Sequence, residues 1–178
     1  IEMYLYDYVN GAEPQKYDSR IKVETNAVVL TNKKWHHVAA TYDGSADAAG
    51  LNIYVDGVLI TNVDREKTAG ANGYERIRNT VTPLMFAGQS GGTQTGAHAF
   101  ESRMADICIF NKELSASEMA EIYNAGAVKN MVKASTYNDL ISWWKMGDDR
   151  DGPLSGGIID YVGGHNGTLV NGATIALE

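Results

Sequence analysis

One stretch, GLNIYVDGVLI at residues 50–60, does most to limit how this chain can fold. Leu51, Ile53 and Val55 alternate with Asn52 and Tyr54, the period-two pattern of a strand with one buried face. Asp56-Gly57 follows. A two-residue hairpin turn of type I′ needs positive φ at both central positions, and Asp-Gly supplies it. The stretch is therefore a β-hairpin, and the rest of the chain has to provide its partners.

Other segments carry the same signal. IEMYLYDYV alternates Ile1, Met3 and Leu5 against Glu2, Tyr4 and Tyr6, and RIKVET alternates Ile21 and Val23 against Lys22 and Glu24. KKWHHVAATYDGS reads as a strand ending in a Tyr42-Asp43-Gly44 turn. Residues 64–82 are polar, contain TAGANG and read as a long connection. Strands resume at PLMFAGQ and FESRMADICIF, separated by the flexible-looking SGGTQTGAHA, and again at LISWWKM. Short strands are expected at Ile158–Tyr161 and Thr168–Ile175 between glycine turns. The ten tyrosines and many Val, Ile and Thr agree with strands. Short, turn-punctuated strands of this kind predict an all-β, antiparallel jelly-roll-like sandwich.

One helix interrupts them. In LSASEMAEIYNAG, Ser115 is the expected N-cap and Glu118 its capping-box partner three residues on. Leu114 and Met119 supply a hydrophobic staple, and Met119, Ile122 and Tyr123 one apolar stripe. Gly126 is placed to end the helix in the left-handed region.

Composition narrows the functional classes. The 178 residues suit one domain with a short appendage, and 44% apolar content can build a core. The chain opens at Ile1, so it is expected to be a piece of something longer, or processed. No apolar run is long enough to insert into a membrane as a helix. The net charge is −7, with no basic stripe, which excludes nucleic acid as an expected partner. The single cysteine, Cys108, rules out a disulfide within the chain and reads as a packed thiol.

Catalytic patterns are absent. A retaining glycosidase needs two carboxylates about 5 Å apart, yet the nearest pair, Glu101 and Asp106, falls on opposite faces of a regular strand. Asp148, Asp149 and Asp151 sit in a glycine-flanked turn. His36 and His37 are adjacent and point to opposite faces, one packed and hydrogen-bonded, the other at the surface. No nucleophile elbow or zinc-ligand spacing is present. GDDRDG fails as an EF-hand loop, because its first position is Gly147 and its twelfth Ile158. For binding, the candidates are aromatic. Trp143 and Trp144 are neighbours on a strand, so one faces the core and one faces away, free to stack on a sugar or to pack on another subunit or segment. Tyr4, Tyr6 and Tyr8 share one face of the first strand, as core or as platform.

The order of a Trp-His-His-Val strand, a Tyr-Asp-Gly turn, an Ile-Tyr-Val-Asp-Gly hairpin, an Asp-containing strand and a Leu-Ser-x-x-Glu helix resembles a laminin-G-like domain of the concanavalin A-like lectin/glucanase superfamily. The resemblance covers about residues 3–126. It implies a sandwich over residues 1–130 that lacks about three N-terminal strands. Residues 131–178 are then a connector plus strands that either close this sandwich or begin a second module. LISWWKMGDD and DYVGGHNGTLVNGATI resemble the opening strand and turn of such a domain. The glucanase-type Glu-x-Asp-x-x-Glu run is missing. The superfamily often carries a structural calcium joining first and last strands. By that resemblance, Asp106 and Asp148 would hold Ca2+. The tryptophan-pair segment after the module is also similar to modules of marine bacteriophage tail-fibre and appendage proteins. The function expected is a non-catalytic recognition or structural module of a virion appendage or tail fibre. It would contact a host surface or brace the particle, with other subunits or upstream segments as partners. The alternative is a secreted carbohydrate-binding module taking a cell-surface glycan. Both place the protein in a virion or outside the cell.

Overall fold

A computed structural model describes residues 1–7, 19–69, 74–77, 83–86, 103–127, 129–147, 157–170 and 173–175. Among these residues the fold is antiparallel β-sheet with one α-helix, as the alternation predicts. The first sheet has the order β1 (Glu2–Tyr6), β2 (Ser19–Thr25) and β6 (Val63–Ala69). The second has the order β3 (Val38–Tyr42), β4 (Leu51–Val55) and β5 (Val58–Leu59). A third, two-stranded sheet pairs β7 (Ile107–Phe110) with β8 (Leu140–Trp144).

The first two sheets face each other. Ile21 and Val23 of β2 meet Leu51 and Ile53 of β4, all fully buried, with Ala48 and Tyr74 completing the cluster. Met3 and Leu5 pack at its margin, so the inward face of β1 is the one its alternation assigned. Fully burying each of these aliphatic side chains is worth roughly 1.5–3 kcal/mol, which makes this layer the main source of stability. The other face of β4 is also covered. Tyr54 is buried against Leu114 and Met119, so the helix α1 (Ala116–Tyr123) lies on the outside of the second sheet.

The hairpin turn forms as its residues require. Asp56 has φ 50° and Gly57 φ 75°. A side chain at Gly57 would bring its Cβ within 2.8 Å of Tyr123 Cδ1, so glycine is needed both for the turn and for the approach of α1. The capping box is complete. The Ser115 hydroxyl accepts from the Glu118 N–H, and the Glu118 carboxylate accepts from the Ser115 N–H at 2.8 Å. Ser115→Ala is expected to cost about 1 kcal/mol in chemical denaturation. The helix ends earlier than Gly126. Asn124 already takes the left-handed conformation, followed by Ala125 and Gly126. Asparagine tolerates that region because its short amide bonds locally, here to the Ala127 carbonyl.

Four expectations need correction. Residues 63–69 are not a connection but strand β6, paired with β2 over seven residues. Among its outward residues Glu66 lies opposite Lys22 and pairs diagonally with Arg20, while Asp64 stands opposite Glu24. Its inward Arg65 and Lys67 reach main-chain carbonyls: Arg65 those of Ala48 and Leu51, Lys67 that of Ala46 at 2.7 Å. Residues 83–86 are not in a strand, and the rest of PLMFAGQ lies outside the described residues. Strand β7 starts only at Ile107, because Asp106 has φ 52° and breaks the extended run. The tail makes isolated bridges, Trp144 with Asp160 and Ile158 with Gly167, in place of strands.

Candidate functional site

The tyrosine face of β1 is built by register. Tyr4 lies opposite Lys22 and Tyr6 opposite Arg20, all on the outer face of the first sheet. The two rings stack on each other, with centroids 5.9 Å apart and planes 14° apart. Arg20 and Lys22 each lie 5.4 Å from the Tyr4 centroid. Both cations also hold carboxylates, Arg20 that of Glu66 at 2.8 Å and Lys22 that of Glu24. A hydrogen bond to Glu2 holds the Tyr4 hydroxyl above its ordinary pKa, and Glu24 does the same for the Lys22 ammonium. Sugar recognition needs a free ring face beside hydroxyl-seeking donors and acceptors. Here the donors and acceptors are present, and Tyr4 and Tyr6 each turn one face to the other. Tyr8 lies outside the described residues.

The tryptophan pair departs from the expectation that one ring faces away. Trp143 and Trp144 are each only 4% exposed, so neither faces away from the protein. Residues 157–167 return beside β8, pairing Asp160 with Trp144, and together with Phe86 they help enclose both rings. Trp143 packs with Met131, Ala134 and Leu140, and its Nε1–H donates to Asp106 Oδ1 at 3.1 Å. Trp144 donates to the His165 carbonyl at 2.9 Å and meets Phe86 edge-on.

Asp106 is half-buried, and that burial pushes its carboxyl above the usual range, opposed by the Trp143 N–H and by Lys145. Lys145 lies over the rings of Trp143 and Tyr161, at 5.1 and 4.5 Å. Among the described residues no three His, Cys, Asp or Glu side chains gather as a metal site. Asp148, the second expected calcium ligand, lies outside the described residues. Asp106 offers a hard oxygen donor in a poorly solvated place, which suits a cation, although one of its oxygens already accepts from the indole. Cys108 packs against the same cluster, and burial, reinforced by Asp106, pushes its thiol up to about 12.

The strongest polar site was not legible in the sequence. Asp160, buried, accepts from the N–H groups of Trp143, Val162, Gly163 and His165 at 2.9–3.2 Å. The Ser142 hydroxyl also bonds it, and the His165 ring lies 3.1 Å away. Burial alone would raise its pKa, but the backbone donors outweigh it and hold the carboxyl far below the usual range. The only local signal is an acid followed by Gly-Gly in DYVGGHNG, a turn that can aim several amides at one point.

The histidines precede β3 and do not share a strand. His36 Nδ1 lies 2.8 Å from Asp56 Oδ2, and Asp56 Oδ1 accepts from the His37 N–H at 3.0 Å. Thr31 closes the array, with its N–H and Oγ1 at 3.1 and 3.0 Å from His36 Nε2. These contacts tie the 31–37 loop to the hairpin turn. His37 is half-buried near the Tyr123 ring, and burial holds its pKa down, with Asp56 opposing.

A family model described as the concanavalin A-like lectin/glucanases superfamily, laminin G 3, matches residues 6–120. No curated protein gives a match, and no solved structure does. The matched span runs from the last residue of β1 into the capped helix, and includes β2 and β6 of the first sheet and all of the second. The chain belongs to the concanavalin A-like lectin/glucanase superfamily, through a laminin-G-type domain.

Proposed function

We propose that this chain is a non-catalytic recognition and assembly module of a larger extracellular or virion structure, a tail fibre or appendage being the setting that fits best. The observation that carries this reading is an apolar row at the rim of the second sheet, buried at its centre, Val55, and exposed at both ends. Val38, Val55 and Val58 stand opposite one another across β3, β4 and β5, and Val38 and Val58 are 46% and 64% exposed. Trp35, just before β3, is 61% exposed. Exposed apolar groups gathered at one rim favour contact with protein over water. The Thr31–His36–Asp56 array supports the non-catalytic half of the reading. A main-chain N–H competes for the same His36 nitrogen that a nucleophile would need, so the array acts as a brace.

Carbohydrate binding is the second reading, favoured by Tyr4 and Tyr6 with the ionic groups around them. A structural Ca2+ held by Asp106 and Asp148 goes with either. The test combines sedimentation velocity, a glycan array and melting with calcium or chelator. Association without glycan retention supports assembly. A stable monomer that retains a glycan, and loses it on Tyr4→Ala, overturns assembly in favour of the lectin reading. Calcium is expected to raise Tm, and Asp106→Asn to abolish the rise. A melt indifferent to calcium removes the ion.

A further inference from the structure

We infer that residues 129–147 and 157–167 form an exchangeable clasp, whose β8 can complete β7 of a second copy of this chain. This deepens the assembly reading and rests on it for its purpose. The clasp is braced internally. Asp160 gathers four amides, Trp144 donates to the His165 carbonyl, and the Tyr161 N–H donates to the Trp143 carbonyl at 2.8 Å. Met131, Ala134, Leu140 and Trp143 pack with Tyr161 and Val162. It can therefore move as a unit.

Among the described residues, its attachments join a group before residue 124 to one after residue 128. The ladder pairs Ile107 with Trp144, Cys108 with Trp143 and Ile109 with Ser142. The Asn111 N–H donates to the Asp139 carbonyl at 2.9 Å, and Lys112 pairs with Asp139 at 3.4 Å. Glu121 holds Lys129 at 3.1 Å and accepts from the Ser135 N–H at 3.1 Å. Every one of these contacts survives if the clasp comes from a neighbour, so the joint alone decides between closed and exchanged forms. That joint is strained. Asn124, Ala125 and Gly126 are consecutively left-handed, at φ 49°, 54° and 85°, and alanine is disfavoured there. Exchange can release that backbone strain, and strained hinges invite it.

The chain would be refolded from denaturant at low and high concentration and its species separated by size. A second sample carries Ile109→Cys and Ser142→Cys with Cys108→Ala, oxidised after separation. The inference expects a dimer fraction whose disulfides link two chains, and a monomer fraction whose disulfides are internal. It also expects Ala125→Gly to lower the association constant by roughly tenfold or more, because two hinges are relieved per dimer. A dimer with only internal disulfides overturns the exchange and leaves assembly standing. A chain monomeric at every concentration overturns both. Should the double-cysteine chain not fold, the Ala125→Gly comparison decides, and association unchanged or strengthened overturns the exchange.

Discussion

Asp160→Ala is expected to lower stability by about 3–5 kcal/mol, one of the two largest effects of any single substitution proposed for this chain. The buried carboxylate accepts from four main-chain N–H groups. Alanine leaves those donors without their acceptor, and each buried donor without a partner costs about 1–3 kcal/mol before relaxation. Asp160→Asn keeps the volume but turns an NH2 toward donors, so it is expected to recover little. Urea titration followed by tryptophan fluorescence reads the change, since Trp143 and Trp144 lie against this loop. The pH dependence has a definite sign. The folded-state pKa is depressed, so the stabilisation is fully present above the unfolded value of about 3.9 and falls as pH drops below it toward the folded value. Acid should therefore loosen the tail of the wild type. The Asp160→Ala protein should lack that part of the acid dependence. A loss under 1 kcal/mol would mean the loop finds other acceptors.

Trp143→Ala is expected to cost about 3–5 kcal/mol as well, from lost burial and the cavity left behind. The indole is 4% exposed and is the centre of the cluster that joins β7, β8 and residues 161–162. Trp143→Phe should cost less, while leaving Asp106 without its indole donor. The measurement also discriminates between roles. A sugar platform would lose ligand affinity and keep its stability. A packed residue would do the reverse, and denaturant midpoints for the two variants settle which holds.

The parts of the fold legible in the sequence are those with local causes. Asp56-Gly57 fixes its own turn, and Ser115 with Glu118 fixes a helix start, within a few residues each. The alternation of Leu51, Ile53 and Val55 marks a buried face without naming what buries it. For Trp143 and Trp144 that omission mattered. Alternation places them on opposite sides of β8, and Trp144 is covered by Phe86 and by the turn at His165, both distant in sequence. Strand β6 was hidden for a related reason. Its inward positions are Arg65 and Lys67, which look like solvent-facing residues until distant carbonyls are seen to receive them. The Asp160 site needed both a local turn and an amide from position 143, and only the first leaves a trace in the sequence.

The inward charges of β6 also bear on folding fidelity. A strand slipped by one residue turns every side chain to the opposite face. For β6 that would turn Asp64 and Glu66 to the face of Ile21 and Val23, toward carbonyl oxygens that cannot donate to them, and carry Arg65 and Lys67 away from those carbonyls. An aliphatic strand could tolerate such an error and persist in it. This one cannot, so the least hydrophobic strand of the sandwich is the one with the least ambiguous address.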